Sequence, residues 1–230
     1  MPGFLRKSRM SCNPHYNGVK LITTDNSFKD DLRKSYDINA ELRDFSITQD
    51  WKITERAAFF SLLQREEKNS LLEIGAGHGR DSKFFHDQGL EVVCVDLSPE
   101  MVGLCLKKGL TAYEMDMTDL QFPDNSFDAV FSLNSLLHLT GTELPAVLQR
   151  ISEIMKPRGL FYLGIFGGYD FEGVRENDIY TPKRFYSYYS DDNIRQIVTG
   201  VFDLLSFSHP ADDEYQSLHF HSMTLRKKDG

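Results

Sequence analysis

Residues 71–85 read LLEIGAGHGRDSKFF. An apolar run, Leu71 to Ile74, carries the acid Glu73 and enters three glycines at alternate positions, Gly75, Gly77 and Gly79. Residues with helical spacing follow. A strand that passes through a glycine turn into a helix sets backbone amides and a helix N-terminus at the carboxyl edge of a sheet. Removing side chains there lets a ligand approach the backbone. A plain strand-to-helix turn needs one glycine or two, so glycines at three alternate positions point to a ligand. The dinucleotide fingerprint G-x-G-x-x-G fits imperfectly. Its third glycine arrives one residue early, and position 80 is Arg.

Outward from this loop the pattern alternates. Apolar runs recur at residues 92–95, 112–115, 129–133 and 160–166, most of them separated by helical stretches. Short buried runs between helices indicate a parallel sheet covered on both faces. Near the end, VFDLLSFSH and SLHFHSMTLR alternate apolar and polar residues around the turn-forming PADDEY, which reads as an antiparallel pair. The expected fold is α/β: a doubly wound, mostly parallel seven-stranded sheet with an antiparallel C-terminal strand pair and an N-terminal helical cap. The cap is read from helical spacing at residues 28–43 and 51–66. Residues 1–27, with Pro2, Pro14 and Gly18, read as a mobile arm. Residues 28–230 then form a single domain: cap (28–66), cofactor-binding core (70–168) and substrate lid (169–190), with the terminal strands beyond.

The 230 residues suit one such domain, and 40% hydrophobic with 26% charged residues is a globular balance. A net charge of −8 argues against nucleic acid as a partner, since phosphate-backbone binding needs clustered Lys and Arg. No apolar run approaches the ~20 residues that span a bilayer, so no membrane partner is expected. Cys12, Cys94 and Cys105 form neither a disulfide framework nor a Cys-x-x-Cys spacing. A cytoplasmic location is the default expectation, and the oligomeric state is open.

A second acid, Asp96, ends the run at 92–95. A carboxylate there can accept both ribose hydroxyls of a nicotinamide or an adenosyl cofactor. The alternative role is a helix N-cap ahead of Pro99, for which Ser98 is the better residue. Residues 73–79 (EIGAGHG), 96–101 (DLSPEM), 116–117 (DM), 127–133 (FDAVFSL) and 155–160 (MKPRGL) together resemble the class I S-adenosylmethionine-dependent methyltransferases. The resemblance covers residues 70 to about 168 well and the rest more loosely. It implies S-adenosylmethionine as cofactor. Gly75, Ala76, Gly77 and Gly79 would approach its methionine part, with Glu73 organising the loop. Asp96 would bind the ribose, Leu97 would pack on the adenine, and Asp116 would accept from the adenine amino group beside Met117. Met101 and Ser132 complete the implied cofactor set. Arg158 departs from the family, whose members often have glycine there.

Methyl transfer asks the protein to align a nucleophile and, for a hydroxyl or ammonium, to remove a proton. The end of the fourth strand run leads to SLNSLLH, residues 132–138, and His138 is the candidate base. A helix histidine packed for structure is its plainer reading. The aromatic cluster at 169–189 supplies Tyr169, Tyr180, Arg184, Phe185 and Tyr188 as candidate substrate residues, with Tyr36 and Trp51 of the cap opposite. A loop packed on the sheet edge would explain the same aromatics. His219 and His221 share a face of a strand, but two ligands without a visible third make a poor metal site, so no metal is expected. The reading is methyl transfer to an O or N atom of a small molecule. A nicotinamide oxidoreductase, a macromolecule methyltransferase and a non-catalytic cofactor-binding protein stand as alternatives.

Overall fold

The computed structural model describes residues 27–210 and 218–229. The arm expected at 1–27 and the PADDEY turn therefore lie almost wholly outside the described residues. The cap consists of α1 (Ser27–Ile38), α2 (Ala40–Asp44) and α3 (Asp50–Arg65). The first expected helix is broken at Asn39, whose side-chain amide donates to the Ser35 carbonyl at 2.8 Å. That local bond offers the backbone an alternative to continuing the helix.

The core then alternates: β1 (Ser70–Ile74), α4 (Arg80–Asp87), β2 (Glu91–Asp96), α5 (Pro99–Lys107), β3 (Thr111–Glu114) and β4 (Phe127–Leu133). A 3-10 turn (Leu136–His138), α6 (Leu144–Ile154) and β5 (Met155–Gly167) follow. The chain ends with β6 (Phe171–Val174), β7 (Phe185–Tyr188), α7 (Asp191–Thr199), β8 (Phe202–Ser208) and β9 (His219–Lys227). Seven strands form one sheet in the order β3-β2-β1-β4-β5-β9-β8. The first five are parallel, while β9 runs antiparallel to both β5 and β8. The expected sheet is present.

Two apolar layers explain why it is covered on both faces. Phe59, Leu63, Phe85, Cys105, Phe131 and Tyr162 pack on one side. Leu148, Ile151, Phe161, Ile194, Phe202 and Leu225 pack on the other. Chain order reverses between β1 and β4, and such a switch point opens a crevice outside the strand ends. The glycine loop lies there. β6 and β7 form a separate two-stranded antiparallel unit within the expected lid.

Candidate active site

A cavity of about 410 Å³, within the range of small-ligand sites, lies under the cap at the ends of β1, β2 and β4. Its floor comes from the glycine loop. Gly77 has φ of +55° and an open space where a Cβ would stand. Its N–H donates to Asp96 Oδ2 at 2.8 Å, and the Ser98 N–H donates to Asp96 Oδ1 at 2.9 Å. Desolvation raises the Asp96 pKa against the pull of those two donors. Ser98 also caps α5 through its hydroxyl, as expected, which frees Asp96 for the cavity. Glu73 is buried beneath the loop and accepts from the Ser82 hydroxyl, and burial pushes its pKa well up.

The opposite wall carries His138. Its Nδ1 lies 2.7 Å from the Phe185 carbonyl, which can only accept, so Nδ1 holds the proton. Nε2 then accepts from the Tyr36 hydroxyl at 2.8 Å. Burial depresses the imidazole pKa to about 3, so the ring is neutral near pH 7. Arg184 forms a two-point ion pair with Asp178 (3.0 and 2.7 Å) and stacks 3.8 Å from the Tyr180 ring centre. Its remaining nitrogen reaches the Tyr36 hydroxyl at 3.4 Å. Arg43 donates to the Tyr180 hydroxyl at 2.9 Å. This end of the cavity thus holds Tyr36, His138 and Tyr180, tied to two guanidiniums by hydrogen bonds and stacking.

Of the expected cofactor residues, Glu73, Gly75, Ala76, Gly77, Asp96, Leu97 and Met117 border the cavity. The others do not. Gly79 faces away: a Cβ there would stand 2.7 Å from Cys105 Sγ and 2.9 Å from Leu110 Cδ1, so it serves helix packing. Met101 is wholly buried on the inner side of α5, and Ser132 is spent on a hydrogen bond to the Ser135 hydroxyl. Asp116 is held outside by Lys29 at 3.1 Å. Among the expected substrate residues, Tyr36 and Tyr180 border the cavity and Arg184 braces them. Trp51 packs on Phe220 instead, at 4.4 Å between ring centres. Tyr169 packs on Tyr188, which is buried in β7. Phe185 is buried too and contributes its carbonyl rather than its ring. Most of the aromatic cluster is therefore packed into the protein and does not line the cavity. Arg43 and Lys52 border the cavity without having been singled out, because an isolated cation on a helix carries no local signal.

A sequence profile described as a methyltransferase domain matches residues 72–163. Residues 72–163 therefore resemble a methyltransferase domain. Phosphoethanolamine N-methyltransferase 3 of Arabidopsis thaliana is 28% identical over 108 residues, 44% of this chain and 22% of the relative. Demethylmenaquinone methyltransferase of Renibacterium salmoninarum is 29% identical over 139 residues, covering 60% of this chain and 56% of the relative. These matches thus span less than two thirds of the relatives' own lengths. The crystal structure of Burkholderia thailandensis 1,6-didemethyltoxoflavin-N1-methyltransferase, with bound 1,6-didemethyltoxoflavin and S-adenosylhomocysteine, shares the fold. Its TM-score is 0.73 at 21% identity, covering 95% of this chain and 100% of that one. The matched stretch begins in β1 and ends in β5, so it takes in the glycine loop, Asp96 and His138.

Proposed function

We propose that the protein transfers a methyl group from S-adenosylmethionine to an N or O atom of a small molecule. One observation carries the reading: a single cavity joins the Gly77–Asp96 floor to the Tyr36–His138 pair. The residues fit the cofactor. Gly77 offers side-chain-free space for its methionine part, Asp96 offers a carboxylate for the ribose hydroxyls, and Leu97 and Met117 are apolar surfaces for the adenine. When bound, the cofactor supplies an electrophilic sulfonium methyl.

The protein's own task is to position the acceptor. Tyr36 already gives its proton to His138 Nε2 in a hydrogen bond and receives the Arg184 guanidinium at 3.4 Å, which leaves one oxygen lone pair for an acceptor N–H or O–H. The Phe185 carbonyl fixes Nδ1–H, so the neutral imidazole orients the Tyr36 hydroxyl towards Nε2 and leaves the far side of its oxygen to the acceptor. His138 thereby acts behind Tyr36 rather than touching the acceptor directly. Arg43 and Lys52 make no ion pair among the described residues and border the same cavity, which suits an anionic group on cofactor or acceptor. Two of the relatives above are named for transfer to nitrogen, which supports an amine or ring nitrogen as acceptor.

Calorimetric titration with S-adenosylmethionine, S-adenosylhomocysteine and a nicotinamide dinucleotide tests the reading. Both adenosyl compounds should bind and the dinucleotide should not; binding of the dinucleotide alone would overturn it. Asp96→Ala should weaken adenosyl binding at least about tenfold, roughly 1.4 kcal/mol. Unchanged affinity would remove the ribose role.

A further inference from the structure

Four ligand-type side chains converge at the far end of the sheet, and none of them borders the cavity. The register of β9 on β5 sets His219 opposite Gly167 and His221 opposite Ile165, at the carboxyl end of β5. His209 follows directly after β8, and Asp191 is the first residue of α7. The Nε2 atoms of His219 and His221 lie 2.8 and 3.0 Å from Asp191 Oδ1. His209 Nε2 lies 3.1 Å from Oδ2. His219 and His221 also bring their Nε2 atoms within 3.1 Å of each other. One ligand atom from each of the four residues falls within 4.8 Å of all the others. The two histidines read from sequence as a pair unfit for metal thus gain the two partners they lacked.

Protons alone do not satisfy this arrangement. If His219 and His221 both donate to Asp191 Oδ1, their mutual 3.1 Å approach sets two N–H groups side by side with no acceptor between them. If one accepts from the other, it cannot also donate to the carboxylate from that same atom. The ring of His221 is fully buried, and its Nδ1 has no hydrogen-bond partner among the described residues, where Nε2 is its sole polar outlet. Gly167 makes room for that ring, since a Cβ there would stand 2.3 Å from His221 Cε1. A cation among the four groups would take a lone pair from each and leave no such conflict. Tetrahedral zinc, with ligand bonds near 2.0–2.1 Å, keeps its ligand atoms about 3.3 Å apart, close to the 2.8–3.1 Å among Asp191 Oδ1, His219 and His221.

We propose that Asp191, His209, His219 and His221 form a binding site for one divalent transition-metal cation of the zinc type. Three imidazole nitrogens and one carboxylate oxygen suit zinc rather than calcium or magnesium. Four protein ligands make it a closed, structural site. His209 and Asp191, with side chains 39% and 36% exposed, give the cation a way in from solvent. The site would clamp the start of α7 to the ends of β8 and β9. Because only Tyr189 and Ser190 separate α7 from β7, whose Phe185 carbonyl orients His138, the clamp would also steady the strand behind the cavity.

The test uses the full chain without an affinity tag, stripped by a chelator and titrated with Zn²⁺ in a calorimeter. One equivalent should bind and raise the thermal midpoint. His209→Ala and Asp191→Asn should each weaken binding at least about tenfold, the lower range for disturbing a metal's surroundings. Co²⁺ on the unmodified chain should give the strong visible bands of a tetrahedral ion, which decides the matter even if a variant fails to fold. Absence of stoichiometric binding, equal binding by both folded variants, or the weak bands of octahedral Co²⁺ would each overturn the site.

Discussion

At Gly77 and Gly79 the same residue type, two positions apart, answers to different constraints. Both have positive φ, +55° and +77°, where an L side chain costs roughly 1–2 kcal/mol. Gly79 adds a steric term, because a Cβ would press on Cys105 Sγ at 2.7 Å and has the Cys105 Cα at 3.4 Å behind it. Gly79→Ala should therefore lower unfolding free energy by about 2–4 kcal/mol, combining strain with overpacking. Gly77→Ala meets no protein atom within 4 Å and should cost only the backbone strain. Its methyl group would occupy space at the cavity floor. Urea unfolding and S-adenosylhomocysteine calorimetry separate the two: Gly79→Ala should lose mainly stability, Gly77→Ala mainly affinity. Equal loss of affinity in both would show that the third glycine also serves the ligand.

One cation of the helix that closes the cavity makes two ion pairs to the core. Lys29, near the start of α1, lies 3.1 Å from Asp116 and 3.1 Å from Glu143, joining the cap to the segment after β3 and to the edge of α6. Removing it leaves two carboxylates facing each other and loosens the helix that carries Leu32 and Tyr36 into the cavity. Lys29→Met should weaken S-adenosylhomocysteine binding several-fold at low salt. The gap between variant and parent should narrow in about 0.5 M salt, since both ion pairs are only partly buried and so are partly screened. Salt-independent loss, or none, would deny the latch. Such a contact joins distant segments and leaves no local trace, which is why the sequence pointed Asp116 at a ligand. The elements that were legible carry local signals: glycines in a strand-to-helix turn, Ser98 ahead of Pro99, and apolar runs of strand length. The β6–β7 hairpin was not, because the apolar run at 185–189 lacks the alternation of a half-exposed strand; all four residues of β7 are buried. Likewise Met101 belongs to a ligand-like motif, yet its place on the inner side of α5 sends it into the core. The histidine–aspartate cluster is assembled from three separate elements, so strand spacing exposed only half of it.

For the whole molecule, the buried His138 ties stability to pH. Its ordinary pKa of 6.5 applies to the unfolded chain, and the folded value is about 3. Between those limits the unfolded chain binds the additional proton, so this group's contribution is full above pH 6.5 and is lost as pH falls towards 3. Buried carboxylates act in the opposite sense. Glu73, Asp81 and Asp96 have raised pKa values through desolvation, so their proton uptake on acidification favours the folded chain. Ion-paired Asp178 and Asp128, held low by Arg184 and by Ser70 with Lys156 against desolvation, lose their contribution only in stronger acid. A bare pH profile mixes these terms, so the informative quantity is a difference. His138→Gln keeps a donor for the Phe185 carbonyl and an acceptor for Tyr36 but cannot titrate. The stability of the parent chain minus that of the variant should shrink by up to about 1.4 kcal/mol per pH unit between roughly pH 6 and pH 4. Urea unfolding at unit pH steps measures it. A constant difference would mean that His138 protonates as easily folded as unfolded, and the neutral imidazole that accepts from Tyr36 would no longer be available across that range.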